Sequence, residues 1–435
     1  MKAIKGKFFS RGVHPSDMKD IAKDFPIEEM KPSDVIGISI CQHIGKPAEP
    51  IVQKDDYVKR GQLIAKASGF VSANIYSSVS GTVIGIEKHH TQNGQVHDFI
   101  MIKNDGLDET VSLEPLKEIN SQTIKDRIAE AGLVGMGGAG FPTVVKLSPK
   151  TPVDTLVING AECEPYLTCD YRLMIEKTNE VAEGIRLLAK SIGVSKIMLG
   201  IEANKPDAIA AFEQFDDIQV VILKKRYPMG SEKHLIYCTT GRKVPTGKLP
   251  SDAGCVVQNI ATAFATYEAV CLNKPLYERV LTVSGKAITS PKNLLVRFGT
   301  STDEIFAYCG GIKDDAIMLV SGGPMMGAAM ISDKYYTKKA DSGLLALTKE
   351  EVCLAEPTPC LHCGKCADVC PMHLLPMEIT FYTLAGDYDM ANKIGGVMNC
   401  ISCGCCSYVC PAKRPLVQNI ALCKSKLAQK AKGGK

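Results

Sequence analysis

Two cysteine runs near the C-terminus constrain this chain more than any other feature. They are Cys360-Leu-His-Cys363-Gly-Lys-Cys366-Ala-Asp-Val-Cys370-Pro371 and, 40 residues later, Cys400-Ile-Ser-Cys403-Gly-Cys-Cys406-Ser-Tyr-Val-Cys410-Pro411. Each reads C-x2-C-x2-C-x3-C-P, the spacing with which thiolates wrap cubane iron–sulfur clusters. Three cysteines in one tight loop reach three irons of a cube, and the fourth, just before proline, points to the neighbouring cluster. The spacing predicts one [4Fe–4S] cluster on Cys360, Cys363, Cys366 and Cys410, and a second on Cys400, Cys403, Cys406 and Cys370. Zinc also uses C-x2-C pairs, but two pairs complete its tetrahedral site. The third evenly spaced cysteine, the terminal Cys-Pro and the repeat disfavour it. Such clusters imply electron transfer.

At 435 residues the chain accommodates about three or four domains. Its apolar (45%) and charged (23%) contents are ordinary for a soluble fold, and no apolar run approaches the ~18 residues that span a bilayer. The stretch from Met1 to Arg11 lacks the apolar segment and cleavage site of an export signal. Eighteen cysteines without such a signal point to a reducing compartment rather than to disulfides. Cys405 fills the slot that Lys365 holds in the first motif and reads as a free thiol beside a cluster, with a substitute-ligand role as the alternative. The remaining cysteines, Cys163, Cys238 and Cys353 among them, read as buried or incidental. His362 and His373 flank a motif outside its ligand slots. The net charge of +4 is unevenly spread: from Ala391 to Lys435 there is no Asp or Glu, against seven Lys and one Arg. This run reads either as a solvated tail, partly disordered over the final dozen residues, or as a basic collar steering an acidic electron carrier or an anionic membrane surface. No aromatic platform accompanies the charge, which argues against nucleic acid.

Along the chain, residues 1–30 read as an arm. Over 31–110, short β-branched stretches broken by Gly, Pro and Asp predict a small barrel or sandwich. Val58-x-x-Gly61-Gln62 followed by Ser78-Val-Ser-Gly81 resembles the biotinyl/lipoyl barrel-sandwich. Its hairpin tip, Ala67 to Ile75, has no lysine, so scaffold use without a prosthetic group is expected. Over 111–276 strands and helices alternate, implying a parallel sheet. A helix capped at Ser121 runs through Ile124, Ile128 and Ala131 to Gly132. A single helix is expected from Tyr171 to Ile192 and another from Pro206 to Phe215, with strands at Thr155, Ile197 and Val220. Within 277–350, Val280 to Gly311 reads as a compact β/α stretch and Gly322-Gly-Pro-Met-Met-Gly327 as a turn-rich connection. Residues 351–435 form a mostly α cluster domain, with Leu374, Leu375, Ile379, Phe381 and Leu384 suggesting helix between the motifs.

Gly135-Met-Gly137-Gly138-Ala-Gly140 fits G-x-G-x-x-G, yet the dinucleotide fingerprint needs a strand before the glycines and a helix after them. Here a helix precedes and Phe141-Pro142-Thr143 follows, so the context fails. Glycines still let backbone amides close on a phosphate or a planar ring; a ligand-free turn is the alternative. The stretch from Gly132 to Thr143, then Lys146, then Val157-Ile-Asn159-Gly-Ala-Glu162-Cys-Glu164-Pro165 resembles the flavin-bearing, NADH-oxidising subunit of respiratory complex I. Tyr227-Pro-Met-Gly230-Ser-Glu232 and Asn259-Ile-Ala-Thr262 match two further motifs of that family, in order. With the barrel-like start and the two cluster motifs, nearly the whole chain resembles the C subunits of Rnf complexes, membrane-bound ion-translocating ferredoxin:NAD+ oxidoreductases.

That resemblance implies a multidomain α/β protein: a barrel-sandwich hybrid, a Rossmann-like α/β domain for FMN and NADH, a small β-grasp-like (SLBB) domain, and an α-helical two-cluster ferredoxin domain. It implies that Gly135, Gly137, Gly138, Gly140 and Lys146 hold FMN, and that Asn159, Glu162 and Glu164 contact the flavin and its polar tail. Tyr227, Gly230 and Glu232 would face the nucleotide, and Asn259 and Thr262 a second flavin edge. Ala161, Ser231 and Pro149 depart from the complex I pattern and bear on how NADH stacks. The implied role is to pass electrons between NADH, FMN and two [4Fe–4S] clusters, the flavin converting between pairs and single electrons. The implied partners are other Rnf subunits, including a ferredoxin-like iron–sulfur subunit, with the chain peripheral on the cytoplasmic face of the membrane. The competing readings are a carrier feeding a soluble reductase and a zinc-binding interaction module.

Overall fold

The computed structural model describes residues 2–433. Residues after the arm fold as two sheets around one core. The first orders strands Val35–Ser39, Val96–Asn104, Gly81–His90 and Tyr57–Val58; the second orders Glu49–Pro50, Leu63–Lys66 and Ile75–Tyr76. Ile36, Ile38, Val58, Ile64, Val83, Ile100 and Ile102 share that core, as the period of two in a half-buried strand requires. At the hairpin tip Phe70 is 80% exposed.

Five parallel strands form the next sheet, in the order Ile4–Lys5, Gln219–Leu223, Lys196–Glu202, Thr155–Gly160, Cys255–Asn259. The chain steps outward from Thr155–Gly160 and then returns to its other flank with Cys255–Asn259. Such a reversal is a topological switch point, and open α/β sheets bind ligands in the crevice outside the strand carboxyl ends there. Leu156 and Ile158 face one core, under helices Ser121–Glu130, Thr178–Ile192 and Ile260–Cys271. Val157 faces the other, under helix Glu232–Thr240. Burial on both faces accounts for the unbroken apolar runs of these strands.

Two helix expectations need correction. Asn120, not Ser121, caps the first helix: its Oδ1 accepts from the amides of Gln122 and Thr123, and the Thr123 hydroxyl accepts from the Asn120 amide. The stretch from Tyr171 to Ile192 is two helices, Cys169–Glu176 and Thr178–Ile192. The Thr178 hydroxyl donates back to the carbonyls of Met174 and Ile175, competition that bends or breaks a helix. The arm is not free. Ile4–Lys5 extends the parallel sheet, and Ile27–Glu29 pairs with Lys292–Arg297 in a six-stranded mixed sheet built otherwise from Ala316–Ser321, Ala328–Met330, Gly343–Thr348 and Glu278–Ser284.

The cluster region repeats its backbone at the 40-residue offset. His362 and Ser402, Gly364 and Gly404, and His373 and Lys413 all adopt positive φ in matching positions, and short helices Lys365–Asp368 and Cys405–Tyr408 correspond. Helix Pro376–Leu384 begins after Leu374 and Leu375; it buries Ile379 but leaves Phe381 and Leu384 exposed. The tail expected to be disordered is instead the end of helix Leu416–Gly433. Leu416, Ile420 and Cys423 bury that helix against the cluster core. Lys424 donates to the Cys400 carbonyl and Lys430 pairs with Asp389. Gly434 and Lys435 lie outside the described residues.

Candidate functional site

At the switch point a cavity of 480 Å³ opens, within the range of cofactor sites. Parallel pairing sets Asn159 directly beside Asn259 at the strand ends, although 100 residues separate them in the chain. Each asparagine is fixed. Asn159 Nδ2 donates to the Gly230 carbonyl (2.9 Å) and its Oδ1 accepts from the Ala161 amide (3.2 Å). Asn259 caps helix Ile260–Cys271 through the Ala261 amide (2.9 Å) and donates to Asp170 Oδ2 (2.6 Å).

Gly135, Gly137, Gly138 and Gly140 form the roof. Gly135 donates to the Phe141 carbonyl (2.8 Å), while among the described residues the amides of Gly137, Gly138 and Ala139 make no hydrogen bond. A Cβ on Gly138 would meet nothing within 4 Å, whereas one on Gly137 would lie 2.6 Å from Asn259 Nδ2. The loop is braced from behind. Thr262 Oγ1 accepts from the Met136 amide (3.0 Å), and Arg279 Nη1 donates to the Met136 carbonyl (3.1 Å). Lys339 Nζ donates to the carbonyls of Gly132 and Asn74, 2.7 Å each. Burial without a counter-ion pulls that ammonium down to about 7. Thr262 therefore does not line the cavity; it is fully buried and positions the loop.

The acidic residues are engaged. Glu162, in a left-handed backbone turn at φ 43°, caps helix Cys169–Glu176 through the amides of Asp170 (2.7 Å) and Tyr171 (3.4 Å). Its Oε2 has no hydrogen-bond partner and lies 3.7 Å from Lys19 Nζ. Glu164 Oε1 accepts from the Tyr227 hydroxyl (3.1 Å) and Oε2 from the Met325 amide (3.1 Å); burial pushes its carboxyl up. At the mouth Lys146 pairs with Glu232 at 2.7 Å. Gly230 donates to Cys163 Sγ at 3.2 Å. The cavity thus gathers every expected flavin and nucleotide residue except Thr262. Sequence reasoning missed Asp170, Gln258, Met326 and Ile401, which also line it. Only the Asp170 position at a helix start could have signalled itself. A volume of this size, a loop with unspent amides and space over Gly138, and a Gln258 Nε2 without a hydrogen-bond partner suit a flat ligand with a polar tail.

The eight motif thiols surround two small hollows. Cys370, Cys400, Cys403 and Cys406 line one, with Pro371, Leu374, Ile401 and Ile420. Cys360, Cys363, Cys366 and Cys410 line the other, with Leu361, Met377 and Leu416. Four motif thiols around a mostly apolar hollow are the donor set of a cubane cluster; Cys405 also lines the first hollow and Arg414 the second. Amides at the positive-φ positions donate to sulfur: His362 to Cys360 (3.4 Å) and Ser402 to Cys400 (3.3 Å). Cys405 is fully buried, its sulfur against the Tyr227 carbonyl at 4.0 Å. Cys238 is buried, Cys163 is half-buried and Cys353 is exposed. His234 joins the units: one ring nitrogen meets the Pro371 carbonyl (3.1 Å), the other Ser231 Oγ (2.5 Å). Ile401 lines both the 480 Å³ cavity and the hollow of Cys370, Cys400, Cys403 and Cys406. Among the described residues no helix is long and apolar enough to cross a membrane.

Three family models match the chain: the RnfC barrel sandwich hybrid domain over residues 7–107, the Nuo51 FMN-binding domain over 128–268, and a 4Fe-4S dicluster domain over 359–413. Among curated relatives, the C subunit of a proton-translocating ferredoxin:NAD(+) oxidoreductase complex from Clostridium ljungdahlii is 46% identical, covering 96% of this chain and 94% of the relative. The C subunit of an Na(+)-translocating ferredoxin:NAD(+) oxidoreductase complex from Acetobacterium woodii is 42% identical over 99% of both chains. The C subunit of an ion-translocating oxidoreductase complex from Rhodobacter capsulatus is 44% identical, covering 96% of this chain and 83% of the relative.

Proposed function

The chain belongs to the family of C subunits of ion-translocating ferredoxin:NAD(+) oxidoreductases, and we propose that its switch-point cavity takes FMN and NADH while its two hollows hold [4Fe–4S] clusters. It is an NADH-linked electron-transfer subunit of such a complex, with the other subunits as partners. Bound FMN would supply the conversion between an electron pair delivered as hydride and the single electrons that iron–sulfur clusters accept. This chain's residues bind and orient. Gly135, Gly137, Gly138 and Gly140 bring backbone amides close to a ring or phosphate, and Lys146 offers a positive charge at the mouth once Glu232 releases it. Asn159 and Asn259 set the floor. Glu162 and Glu164 shape the walls through the helix they cap and the loop they tie down, and Tyr227, Gly230 and Glu232 form the nucleotide side.

The observation that carries the reading is the double position of Ile401, a single side chain shared by the cavity and the nearer hollow. We read the quartet Cys370, Cys400, Cys403, Cys406 as the inner electron station. The quartet Cys360, Cys363, Cys366, Cys410 is the outer one, since its hollow shares no lining residue with the cavity. Domains at 31–110, 111–276, 277–350 (β-grasp-like, SLBB) and 351–435 fit this division. We place the chain on the cytoplasmic face of the membrane, with a ferredoxin-like iron–sulfur subunit as electron partner, steered by the acid-free stretch after Ala391. The C. ljungdahlii and A. woodii relatives are named for different ions, so we assign ion choice to other subunits. Anaerobic mixing of the purified protein with NADH tests the reading: flavin and cluster absorbance should bleach together. Bleaching by dithionite but not by NADH would overturn it.

A further inference from the structure

One carboxyl group in the cavity is used neither for binding nor for hydride transfer. Asp170, in the first turn of helix Cys169–Glu176, is buried and lines the cavity floor. Its Oδ2 accepts from Asn259 Nδ2 at 2.6 Å, and it forms no ion pair among the described residues. The charges facing it are all committed elsewhere. Glu162, from the turn after strand Thr155–Gly160, is spent on the helix cap and lies near Lys19 of the arm. Arg279, from strand Glu278–Ser284, donates to the carbonyls of Met136 and Lys339. Lys205, ahead of helix Pro206–Glu213, donates to the Ala161 carbonyl at 2.7 Å and stands 3.8 Å from Glu202. Cys169, the adjoining residue, is a buried thiol. Burial, then Glu162, drive the Asp170 carboxyl up to about 7, against the Asn259 bond and the more distant pull of Arg279 and Lys205.

A buried carboxyl that lines a ligand cavity changes protonation when a charge arrives beside it. We propose that Asp170 is the proton-exchanging residue of the flavin site, taking up one proton from water when the bound flavin is reduced and returning it when the electrons leave. This rests on the flavin reading of the cavity. The balance closes: NADH gives hydride to FMN and becomes NAD+, the flavin gains one negative charge, and the Asp170 carboxylate plus one solvent proton becomes the neutral acid. When the electron pair leaves toward the clusters, two protons would return to solvent: the one that arrived with the hydride and the one held by Asp170.

The test strips the full chain of flavin, refills it with FMN, and reduces it at pH 8 in weak buffer with an indicator dye. The unaltered protein should take up close to one more proton per flavin than Asp170→Asn. Its reduced-minus-oxidised infrared difference spectrum should gain a protonated-carboxyl band, a readout that needs no variant. FMN bound equally by both proteins with equal proton uptake, or no new band, would overturn the role of Asp170 alone. A stripped protein that takes up no FMN would overturn the flavin reading and this proposal with it.

Discussion

Replacing Gly137 with alanine separates two jobs that neighbouring glycines perform. The new Cβ would fall 2.6, 2.7 and 2.8 Å from Nδ2, Cγ and Cβ of Asn259, so one side must yield. Asn259 is held by Asp170 at 2.6 Å and by the Ala261 amide at 2.9 Å. If the loop yields, overpacking costs about 1–3 kcal/mol. If Asn259 yields, the helix loses a cap worth ~1 kcal/mol, and the buried Asp170 carboxyl loses its partner at about 1–3 kcal/mol more. The two courses together bracket a loss of about 1–4 kcal/mol in urea unfolding of the flavin-free protein. Gly138→Ala is the control. Nothing lies within 4 Å of its Cβ, so stability should stay within about 0.5 kcal/mol. That methyl group would stand where the open loop admits a ligand, so FMN affinity should fall. A Gly137→Ala protein as stable as the parent, or a Gly138→Ala protein that is destabilised yet binds FMN normally, would refute the division of roles.

The raised carboxyl of Asp170 also has a stability signature. A carboxyl group lifted from 3.8 to about 7 on folding contributes stability below the unfolded value that is lost as pH climbs through about 7. At pH 8 the cost approaches roughly 4 kcal/mol. Asp170→Asn should therefore raise the unfolding midpoint at pH 8 more than at pH 5; equal shifts at both would contradict the assignment. Lys146 and Glu232 are 28% and 38% exposed, so solvent screens their pair to under about 1 kcal/mol. Glu232→Gln should barely move the melting curve yet slow flavin bleaching by NADH in stopped flow. Cys410→Ala should remove the cluster signal associated with the Cys360 motif and spare that of the Cys400 motif, as paramagnetic resonance of the reduced protein would show. Cys405→Ala should leave iron content unchanged.

What local spacing controls was legible in the residues themselves. The placing of three thiols in each short loop, with a fourth before proline aimed at the neighbouring cluster, was legible in the cysteine spacing. The two hollows group the same sulfurs. The alternation of strands and helices was equally legible, since burial on both faces of a parallel sheet leaves runs such as Leu156-Val157-Ile158. The helix break at Lys177 was not: apolar periodicity continues across it, while the Thr178 hydroxyl bonds back into the preceding turn. The basic end looked like a tail because its charges conceal the buried stripe of Leu416, Ile420 and Cys423.

Tertiary structure alone decided which distant residues meet. Asn159 and Asn259 become neighbours because the chain doubles back at the switch point. Thr262, far from the glycines in sequence, ends up behind them rather than in the cavity. Glu164 turns toward Met325, in the connection between the mixed-sheet strands Ala316–Ser321 and Ala328–Met330, and Ile401 arrives at the cavity wall from the cluster domain. None of these contacts leaves a periodicity or a spacing, because each depends on how separately folded units pack. The amino-acid sequence determined the chemistry this protein can hold; packing across those units determined how close its parts lie.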